Sequence, residues 1–432
     1  MDFTAVLNQV PLRLDPLTKG LAPGLVGLDR AKIAAQGVSL FHDLPLPVAT
    51  LKLSTVQRNS LWMAQYLQRA GASFAPHGKT TMSPELFALQ QADGCWGLTL
   101  ATVHQVRVAR RFGVQRILLA NEVVGFEDIR YLLDELAVDP QFELFLYVDS
   151  VQGARRLDQV ARVAKVGRPL NLLLEVGHAQ GRAGVRNPEQ VQAVVTAVLE
   201  AGDTLALRGV SGFEGLYQGR RDEDRLGLVA AFLQRLCDAA AVIDAQEGFA
   251  AGEIILSAGG SSYYDQAVAM FGAMRLSQPV RVVTRSGCYL THDDGLYANL
   301  QAELLARDDQ ARKVDGALSA GLEVWGQVLS RPEPGLIIVS AGRRDFGTDA
   351  GLPRPLRHKR PGIPLEEVPP GCVIEAVSDQ HAHVRVPVDS HFAVGDVISL
   401  GVSHPCTTFD KWRLLYLVDD DYRVANVVQT FF

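Results

Sequence analysis

The sequence predicts a (β/α)8 barrel followed by a second, mostly antiparallel β domain. Between residues 46 and 310, short apolar runs rich in β-formers alternate with helix-length amphipathic stretches. About eight such units fit into this stretch, and repeated strand–helix units predict parallel strands joined by helical crossovers. After residue 310 the long helical patterns stop, and period-two alternation punctuated by turn formers begins. A doubly wound open sheet shares the same local pattern and stays open as an alternative.

The predicted elements follow one another along the chain. Barrel strands are expected in the apolar runs 116–120, 142–148, 171–176, 205–210, 253–256 and 280–283. Helices are expected at 84–93, 102–112, 150–165, 188–201 and 221–245. Thr102 is a good N-cap residue, and Pro84 stands at the first helical position behind Ser83. The predicted domains are an N-terminal segment 1–45 packed with the β domain, a barrel 46–310 and a β domain 311–432.

Composition narrows the classes of function. The chain has 432 residues, 47% of them hydrophobic and 21% charged, which excludes a disordered or fibrous protein. A net charge of −6 makes nucleic acid an unsuitable partner. Five scattered cysteines without a CxxC pair predict reduced thiols and a cytoplasmic location. No apolar run approaches the ~20 residues of a membrane span, so no membrane partner is expected.

The first candidate for catalysis is Lys79, in the segment Pro76-His77-Gly78-Lys79-Thr80 after an apolar strand. In a barrel, functional groups gather at the carboxyl ends of the strands. Burial of a lysine there would favour its neutral amine, the form that attacks a carbonyl carbon. An ordinary charged loop lysine is the alternative.

Two further strand ends carry candidate binding groups. Gly259, Gly260 and Ser261 form a turn after a strand, where backbone amides can approach an anion such as phosphate. A plain tight turn is the alternative. The segment from Glu175 to Val185 bears charged residues, among them Arg182, between small residues that allow close approach to a ligand.

A candidate metal pair lies in the predicted β domain. His404 and Cys406 are two positions apart, and both residue types bind zinc. Two protein ligands are too few for a structural zinc site but leave positions for water or substrate. The segment from Asp379 to His383 is a possible second source of ligands, whereas Cys95 and Cys288 are interpreted as small core residues.

Taken together, these segments resemble the fold-type III pyridoxal-phosphate enzymes of the alanine racemase-like superfamily, and within it the D-serine dehydratase and D-threonine aldolase family. The resemblance runs from about residue 46 to the C-terminus and rests on several motifs in order. It implies that Lys79 forms the Schiff base with pyridoxal phosphate and that His404 and Cys406 hold the metal. It also implies cofactor contacts from the residues His77, Arg182, Gly259, Gly260, Ser261 and Tyr289.

The resemblance implies a lyase that converts a D-serine- or D-threonine-type substrate into a 2-oxo acid and ammonia, assisted by zinc. A D-threonine-type aldolase, which gives glycine and an aldehyde, is the first alternative; in the family, cysteine at the second metal position is associated with the dehydratases. A racemase and a non-catalytic pyridoxal-phosphate carrier are more distant alternatives. The family also implies a homodimer, in which the β domain of one subunit closes the barrel mouth of the other.

Overall fold

The computed structural model describes residues 3–217 and 224–432 of the chain. Its α-helices are α1 Phe3–Leu7, α2 Arg30–Ala35, α3 Leu40–Asp43, α4 Leu53–Ala70, α5 Pro84–Ala92, α6 Val103–Arg111, α7 Phe126–Val138, α8 Val151–Ala164, α9 Pro188–Glu200, α10 Arg225–Ala245, α11 Tyr264–Gly272, α12 Leu296–Arg307, α13 Asp309–Arg312 and α14 Cys406–Phe409. Short 3-10 helices lie at Pro23–Leu25, Gly78–Thr80, Glu214–Tyr217 and Cys288–Leu290.

The strands fall into two sheets. They are β1 Val48–Lys52, β2 Ser73–Phe74, β3 Leu98–Leu100, β4 Arg116–Glu122, β5 Glu143–Val148, β6 Leu170–Val176, β7 Leu205–Gly212, β8 Ile254–Ser257, β9 Val280–Thr284, β10 Leu322–Glu333, β11 Leu336–Val339, β12 Arg354–Lys359, β13 Glu366–Glu367, β14 Val373–Val377, β15 Ala382–Arg385, β16 Val397–Gly401, β17 Leu414–Val418 and β18 Val424–Gln429. Strands β2 to β9 form a parallel eight-stranded sheet in the order β2-β9-β8-β7-β6-β5-β4-β3. The others form a mostly antiparallel sheet.

The parallel sheet closes into a barrel at the segment that follows β2. There the Trp96 amide donates to the Phe74 carbonyl at 2.7 Å, and the Thr99 amide donates to the Pro76 carbonyl at 3.0 Å. Side chains such as Leu118, Phe145 and Leu173 fill the interior. The predicted fold class is therefore confirmed, and the barrel closes immediately before Lys79.

Local sequence signals explain the helices around the barrel. The hydroxyl of Ser150 caps α8 by accepting a hydrogen bond from the Gly153 amide at 3.2 Å. The Asn187 side chain caps α9 in the same way, with Pro188 at the first helical position. Each helix buries an apolar stripe against the strands, so the sheet is covered on its outer face.

The β domain takes one strand from the N-terminal part of the chain. Strand β1 pairs antiparallel with β10 and parallel with β17, so it belongs to the second sheet rather than to the barrel. The barrel therefore begins after β1, later than the predicted boundary at residue 46. Within the N-terminal segment, Leu25, Ile33 and Leu40 share a buried cluster with Trp325 and Tyr416 of the β domain.

Helix α10 corrects the expectation that no apolar stretch of this chain approaches the length of a membrane span. Helix α10 is long and apolar enough, by length and composition, to cross a membrane. It nevertheless packs against β7 and buries Val229, Phe232, Leu233 and Leu236. A helix that covers a barrel strand needs this apolar character for its packing.

Candidate active site

Lys79 lies on a short 3-10 helix at the carboxyl end of β2. The Ala75 amide before it donates to the Thr284 carbonyl of β9 at 2.9 Å, which fixes the strand end. Gly78 then packs so closely that a Cβ there would lie 2.9 Å from Leu100 and from Phe87. The Lys79 side chain itself is exposed in a single chain. The burial considered from the sequence is therefore not provided by the part of the chain that the structure describes.

His77 faces the same mouth from the segment that closes the barrel. Its Nδ1 atom is buried and has no hydrogen-bond partner among the residues that the structure describes. Burial, followed by the positive charges of Lys79 and Arg285, holds the pKa of His77 well below its usual range. A neutral imidazole with a free ring nitrogen therefore stands beside the lysine, ready to contact a bound ligand.

Arg285 occupies the floor of the mouth, at the end of β9. Its guanidinium donates to the Ser257 hydroxyl at 2.6 Å, to the Ser211 hydroxyl at 3.1 Å and to the Gly212 carbonyl at 2.7 Å. Tyr147 completes the network, with its hydroxyl 2.6 Å from that of Ser211. Arg285 is buried, and no carboxylate pairs with it within residues 3–217 and 224–432. The floor therefore carries uncompensated positive charge.

The predicted anion-binding turn already holds a carboxylate from the chain itself. The two oxygens of Glu214 accept hydrogen bonds from the amides of Gly259 at 3.0 Å and Gly260 at 2.7 Å. Gly259 adopts a φ of +79°, which favours glycine because other residues are strained there. Ser261 turns away from this pair, and its hydroxyl accepts from the Cys288 amide at 3.2 Å. The turn does bind an anionic group, but in this structure the anion is Glu214.

Two other predicted cofactor contacts have different outcomes. The Arg182 guanidinium lies 5.2 Å from the centre of the Phe213 ring, and that ring borders Gly260. Arg182 therefore lies on the same side of the mouth as the Gly259–Gly260 turn. Tyr289 is buried in the core, with its ring edge-on to Phe74 at 4.9 Å. The structure does not bring Tyr289 together with the other predicted residues, so it does not support the prediction that Tyr289 reaches the cofactor.

Two carboxyl groups face each other across the ends of β4 and β6. Glu175 is buried and Glu122 is half-buried, and each has one oxygen without a hydrogen-bond partner among the described residues. Burial and then the adjacent Glu175 raise the pKa of Glu122 to about 9. At neutral pH this pair therefore keeps a proton, which leaves a donor at the edge of the mouth.

A cluster of three metal-binding side chains lies beside the Lys79 helix. His404 and Cys406, the predicted pair, are joined by Cys288, and the ligand atoms of all three lie within 4.8 Å of one another. Thr80, the residue after Lys79, links the cluster to the lysine, because its hydroxyl lies 3.5 Å from the Cys406 sulfur. The histidines of the 379–383 segment are not part of the cluster identified in the described chain.

The charges around the cluster favour a thiolate at Cys406 and a protonated ring at His404. The Nδ1 atom of His404 donates to the Asp349 carboxylate at 2.6 Å, and the His404 ring also hydrogen-bonds to Cys406. Burial lowers the pKa of His404, but Cys406 and Asp349 raise it more, to about 9. The Cys288 thiol and then the His404 ring hold the pKa of Cys406 well below its usual range. Cys406 is therefore a ready thiolate.

Comparison with known proteins identifies related sequences over most of the chain. A family described as "Putative serine dehydratase domain" matches residues 321–418. D-threonine aldolase of Arthrobacter sp. is 26% identical over 378 residues, which cover 87% of this chain and 89% of that protein. The 3-hydroxy-D-aspartate aldolase of Paracoccus denitrificans (strain Pd 1222) is 27% identical over 337 residues, which cover 77% of this chain and 78% of that protein.

Solved structures share the fold. D-threonine aldolase from Filomicrobium marinum matches with a TM-score of 0.75 and 24% identity, covering 91% of this chain and 97% of that one. D-threo-3-hydroxyaspartate dehydratase from Delftia sp. HT23 matches with a TM-score of 0.70 and 20% identity, covering 91% and 99%. These matches support the resemblance of this chain to the D-serine dehydratase and D-threonine aldolase family. The family consists of pyridoxal-phosphate-dependent lyases of the alanine racemase-like fold, so the resemblance found in the sequence is confirmed.

The residues at the mouth fit the cofactor of this family. Lys79 provides an amine, and it makes no hydrogen bond or ion pair within the described part of the chain. The turn at Gly259 and Gly260 presents two amides to an anion, with Glu214 standing where a phosphate oxygen could bind. The unpartnered Nδ1 of His77 and the buried Arg285 offer further polar contacts to a bound ring. The donor set is therefore suited to pyridoxal phosphate.

Several residues of the site were missed from the sequence, among them Arg285, Cys288 and Glu214. Arg285 was not predicted at the site, although Tyr289, four residues later in the chain, was expected to contact the cofactor. Cys288 was interpreted as a core thiol because its partners are more than a hundred residues away in the chain. The role of Glu214 could not be predicted, because the sequence at the end of a strand does not show which carboxylate will bind a turn that lies far along the chain.

Proposed function

We propose that this protein is a dehydratase, which converts a D-β-hydroxy amino acid of the D-serine or D-threonine type into a 2-oxo acid and ammonia with zinc assistance. The observation that carries the proposal is the juxtaposition of a free lysine amine and a thiol-containing metal cluster. Thr80 joins them, since it follows Lys79 in the chain and its hydroxyl lies 3.5 Å from the Cys406 sulfur.

Each part of the mouth has a role in this proposal. Lys79 would hold pyridoxal phosphate covalently, and the amides of Gly259 and Gly260 would hold its phosphate once Glu214 withdraws. When bound, the cofactor supplies an electron sink for negative charge that develops at the substrate Cα. Released for catalysis, the Lys79 amine would accept the α proton from the face of the substrate that it occupies.

The metal cluster would act on the other end of the reacting bond. His404 and Cys406 would hold zinc, whose Lewis acidity toward a substrate hydroxyl makes that group easier to expel. Asp349 fixes the orientation of the His404 ring through the hydrogen bond at its Nδ1 atom. Tyr297 covers the other side of His404, with ring centres 5.8 Å apart, and limits the access of water.

The hydrogen bonds that the neighbouring side chains already make favour elimination over carbon–carbon cleavage. A retro-aldol reaction needs a base for the β-hydroxyl proton, whereas elimination needs a base at Cα. Near the cluster, Asp349 is engaged by His404 and by the Thr407 hydroxyl at 2.5 Å. Lys79, which precedes Thr80, is an uncommitted basic group beside the cluster in the described chain, and in the family cysteine at the position of Cys406 is associated with the dehydratases.

A second candidate is a D-threonine-type aldolase. Three curated relatives that align with more than three quarters of this chain carry aldolase names. The dehydratase relative D-threo-3-hydroxyaspartate dehydratase of Delftia sp. (strain HT23) is 29% identical but aligns with 33% of the chain. The aldolase would use the same lysine, cofactor and metal and would break the Cα–Cβ bond.

A product assay with D-threonine separates the two reactions. The purified enzyme is supplied with pyridoxal phosphate and tested with and without a chelator. Formation of 2-oxobutyrate and ammonia, lost on chelation and restored by zinc, is the expected result. Glycine and acetaldehyde would establish the aldolase and overturn the dehydratase. Bound cofactor that is released to acceptors, with no product from any D-β-hydroxy amino acid, would indicate a carrier.

Lys79→Ala tests the assignment of the lysine. The variant should lose turnover together with the absorption band of the covalently bound cofactor. Lys32→Ala changes an exposed lysine of α2 and serves as the matched control, with both properties unchanged. An active Lys79→Ala enzyme that retains the band would refute the assignment.

The proposal also includes a homodimer. Lys79 is exposed, and a lysine that reacts in a water-excluded site needs a cover that residues 3–217 and 224–432 do not place over it. A second subunit can supply that cover. Sedimentation of the enzyme at micromolar concentration should give a dimer; a monomer that retains full activity would contradict it.

A further inference from the structure

Cys288 is positioned as a member of the metal cluster rather than as a core residue. It begins the 3-10 helix after β9 and therefore projects from the barrel, whereas His404 and Cys406 come from the β domain. Its sulfur is buried and lies 3.6 Å from the Cys406 sulfur. The Thr80 hydroxyl is next to both sulfurs, at 4.0 Å from Cys288 and 3.5 Å from Cys406.

The distance between the two sulfurs matches a shared metal better than a covalent bond. Two thiolates bound to one tetrahedral zinc at about 2.3 Å each lie about 3.8 Å apart. A disulfide would instead bring the sulfurs to about 2.05 Å. The observed 3.6 Å is close to the first value, and the His404 nitrogen lies within 4.8 Å of both sulfurs.

We propose that Cys288 is a third protein ligand, which makes the metal centre a Cys2His zinc site with one position left for a substrate oxygen. This inference rests on the proposed function, because it concerns the same metal. Three protein ligands and one open position are typical of catalytic zinc. The site spans the two domains, so a bound metal also fixes the β domain against the barrel strand that carries Arg285.

The second thiolate determines which metals the site takes and how firmly. Thiolates favour zinc and other soft or borderline ions over magnesium and manganese, which prefer oxygen. A site of three protein ligands also retains its metal better than a histidine–cysteine pair alone. We therefore expect zinc to remain bound through purification without added metal and manganese not to displace it.

X-ray absorption at the zinc edge of the wild-type holoenzyme tests the proposal directly. Two sulfur neighbours per zinc at about 2.3 Å, with nitrogen or oxygen completing four-coordination, is the expected result. One sulfur per zinc would overturn it while leaving the pair His404 and Cys406 intact. Absence of bound zinc, or a disulfide between Cys288 and Cys406 found by mass spectrometry under non-reducing conditions, would overturn it as well.

Variants supply a second, independent measurement. Zinc affinity is measured by competition with a chromogenic chelator. Cys288→Ser should lower this affinity by more than the roughly 10- to 100-fold that results from loss of a residue hydrogen-bonded to a metal ligand. The matched control is Cys372→Ser, which changes a half-buried thiol of the β domain immediately before β14. Its zinc affinity should be unchanged. An unchanged affinity in Cys288→Ser would refute the third ligand.

Cofactor content and product formation are measured on the same samples. If zinc in the wild type has one sulfur neighbour and the enzyme still forms 2-oxobutyrate, the inference about Cys288 fails and the proposed function stands. If zinc has two sulfur neighbours and no D-β-hydroxy amino acid is consumed, the metal site stands and the proposed function fails. The two ideas are thus separable.

Discussion

The Asp349 carboxylate accepts a hydrogen bond from Nδ1 of His404 at 2.6 Å. A carboxylate behind a metal-binding histidine fixes the tautomer, so that the other ring nitrogen points a lone pair at the metal. Asp349 also accepts a hydrogen bond from the Thr407 hydroxyl at 2.5 Å. Thr407 follows Cys406 in the chain, so this bond holds the Asp349 loop next to the cluster. His404, Cys406 and their supporting carboxylate therefore come from separate segments of the β domain, whereas Cys288 comes from the barrel.

Asp349→Asn should weaken the metal site without unfolding the protein. We expect zinc affinity to fall about 10- to 100-fold, because the neutral amide no longer fixes the His404 ring as strongly. Excess zinc should restore the lost turnover. Asp379→Asn is the control, since that exposed carboxylate pairs with Arg344 at 3.2 Å. Equal zinc affinities in the two variants would contradict a supporting role for Asp349.

Glu214 competes with phosphate for the same two amides. In Glu214→Ala the buried amides of Gly259 and Gly260 lose their acceptors, at a cost of about 1–3 kcal/mol for each unsatisfied group. We expect the cofactor-free variant to have a lower Tm than wild type. Addition of pyridoxal phosphate or inorganic phosphate should raise the Tm of the variant more than that of wild type, because the added anion can replace the carboxylate.

The control for this comparison is Glu200→Ala, at the exposed end of α9. Its Tm should respond to phosphate as wild type does. If phosphate raised the Tm of Glu214→Ala no more than that of the control, the phosphate would bind elsewhere and the two glycine amides would serve Glu214 alone.

Glu122 makes the stability of the fold depend on pH. Its pKa is raised from 4.5 to about 9 in the folded protein, by burial first and Glu175 second, so the folded state binds a proton that the unfolded chain releases. This stabilisation is complete below about pH 4.5 and is lost as the pH rises toward 9. Glu122→Gln stays neutral throughout, so its Tm should exceed that of wild type by more at pH 8.5 than at pH 5.5.

Thermal unfolding at the two pH values measures the difference. Glu127→Gln, on the exposed first turn of α7, is the control and should keep the wild-type dependence on pH. A Glu122→Gln variant with the same Tm difference at both pH values would show that Glu122 is ionised in the folded protein.

Local patterns predicted the barrel because each strand and helix is encoded by contiguous residues. The run 171–176 is rich in leucine and buried almost throughout, as a strand covered inside and outside must be, and it appears as β6. Strand β1 was assigned to the wrong domain, because a short apolar run carries no signal about which sheet it joins. Its partners Trp325 and Tyr416 are some 270 or more residues away, a distance over which pattern gives no information.

Motifs predicted Lys79 and the pair His404 and Cys406 as site residues, but not the residues that surround them. His404 and Cys406 are two residues apart, so the sequence displays them together, whereas Cys288 joins them through the packing of two domains. Tyr289 follows Cys288 in the chain, yet the 3-10 helix turns its ring toward Phe74. Alternate side chains of a short helix point in different directions, and motif matching does not resolve which one reaches the mouth.

Gly78→Ala should reduce catalysis through the position of Lys79. An added Cβ would lie 2.9 Å from Leu100 and Phe87, both of which are buried and unable to withdraw freely. The short helix must shift instead, which costs about 1–3 kcal/mol of stability. A displacement near 1 Å can lower a rate by about 100-fold, so we expect kcat to fall far more than KM changes.

Gly272→Ala, at the end of α11 with nothing within 4 Å of the added Cβ, is the matched control. Both variants should still bind pyridoxal phosphate, because the amine of Lys79 is retained. The absorption band of the bound cofactor should shift or weaken in Gly78→Ala and stay unchanged in Gly272→Ala. A Gly78→Ala enzyme with wild-type kcat and an unaltered band would show that the contact with Leu100 and Phe87 does not set the position of the lysine.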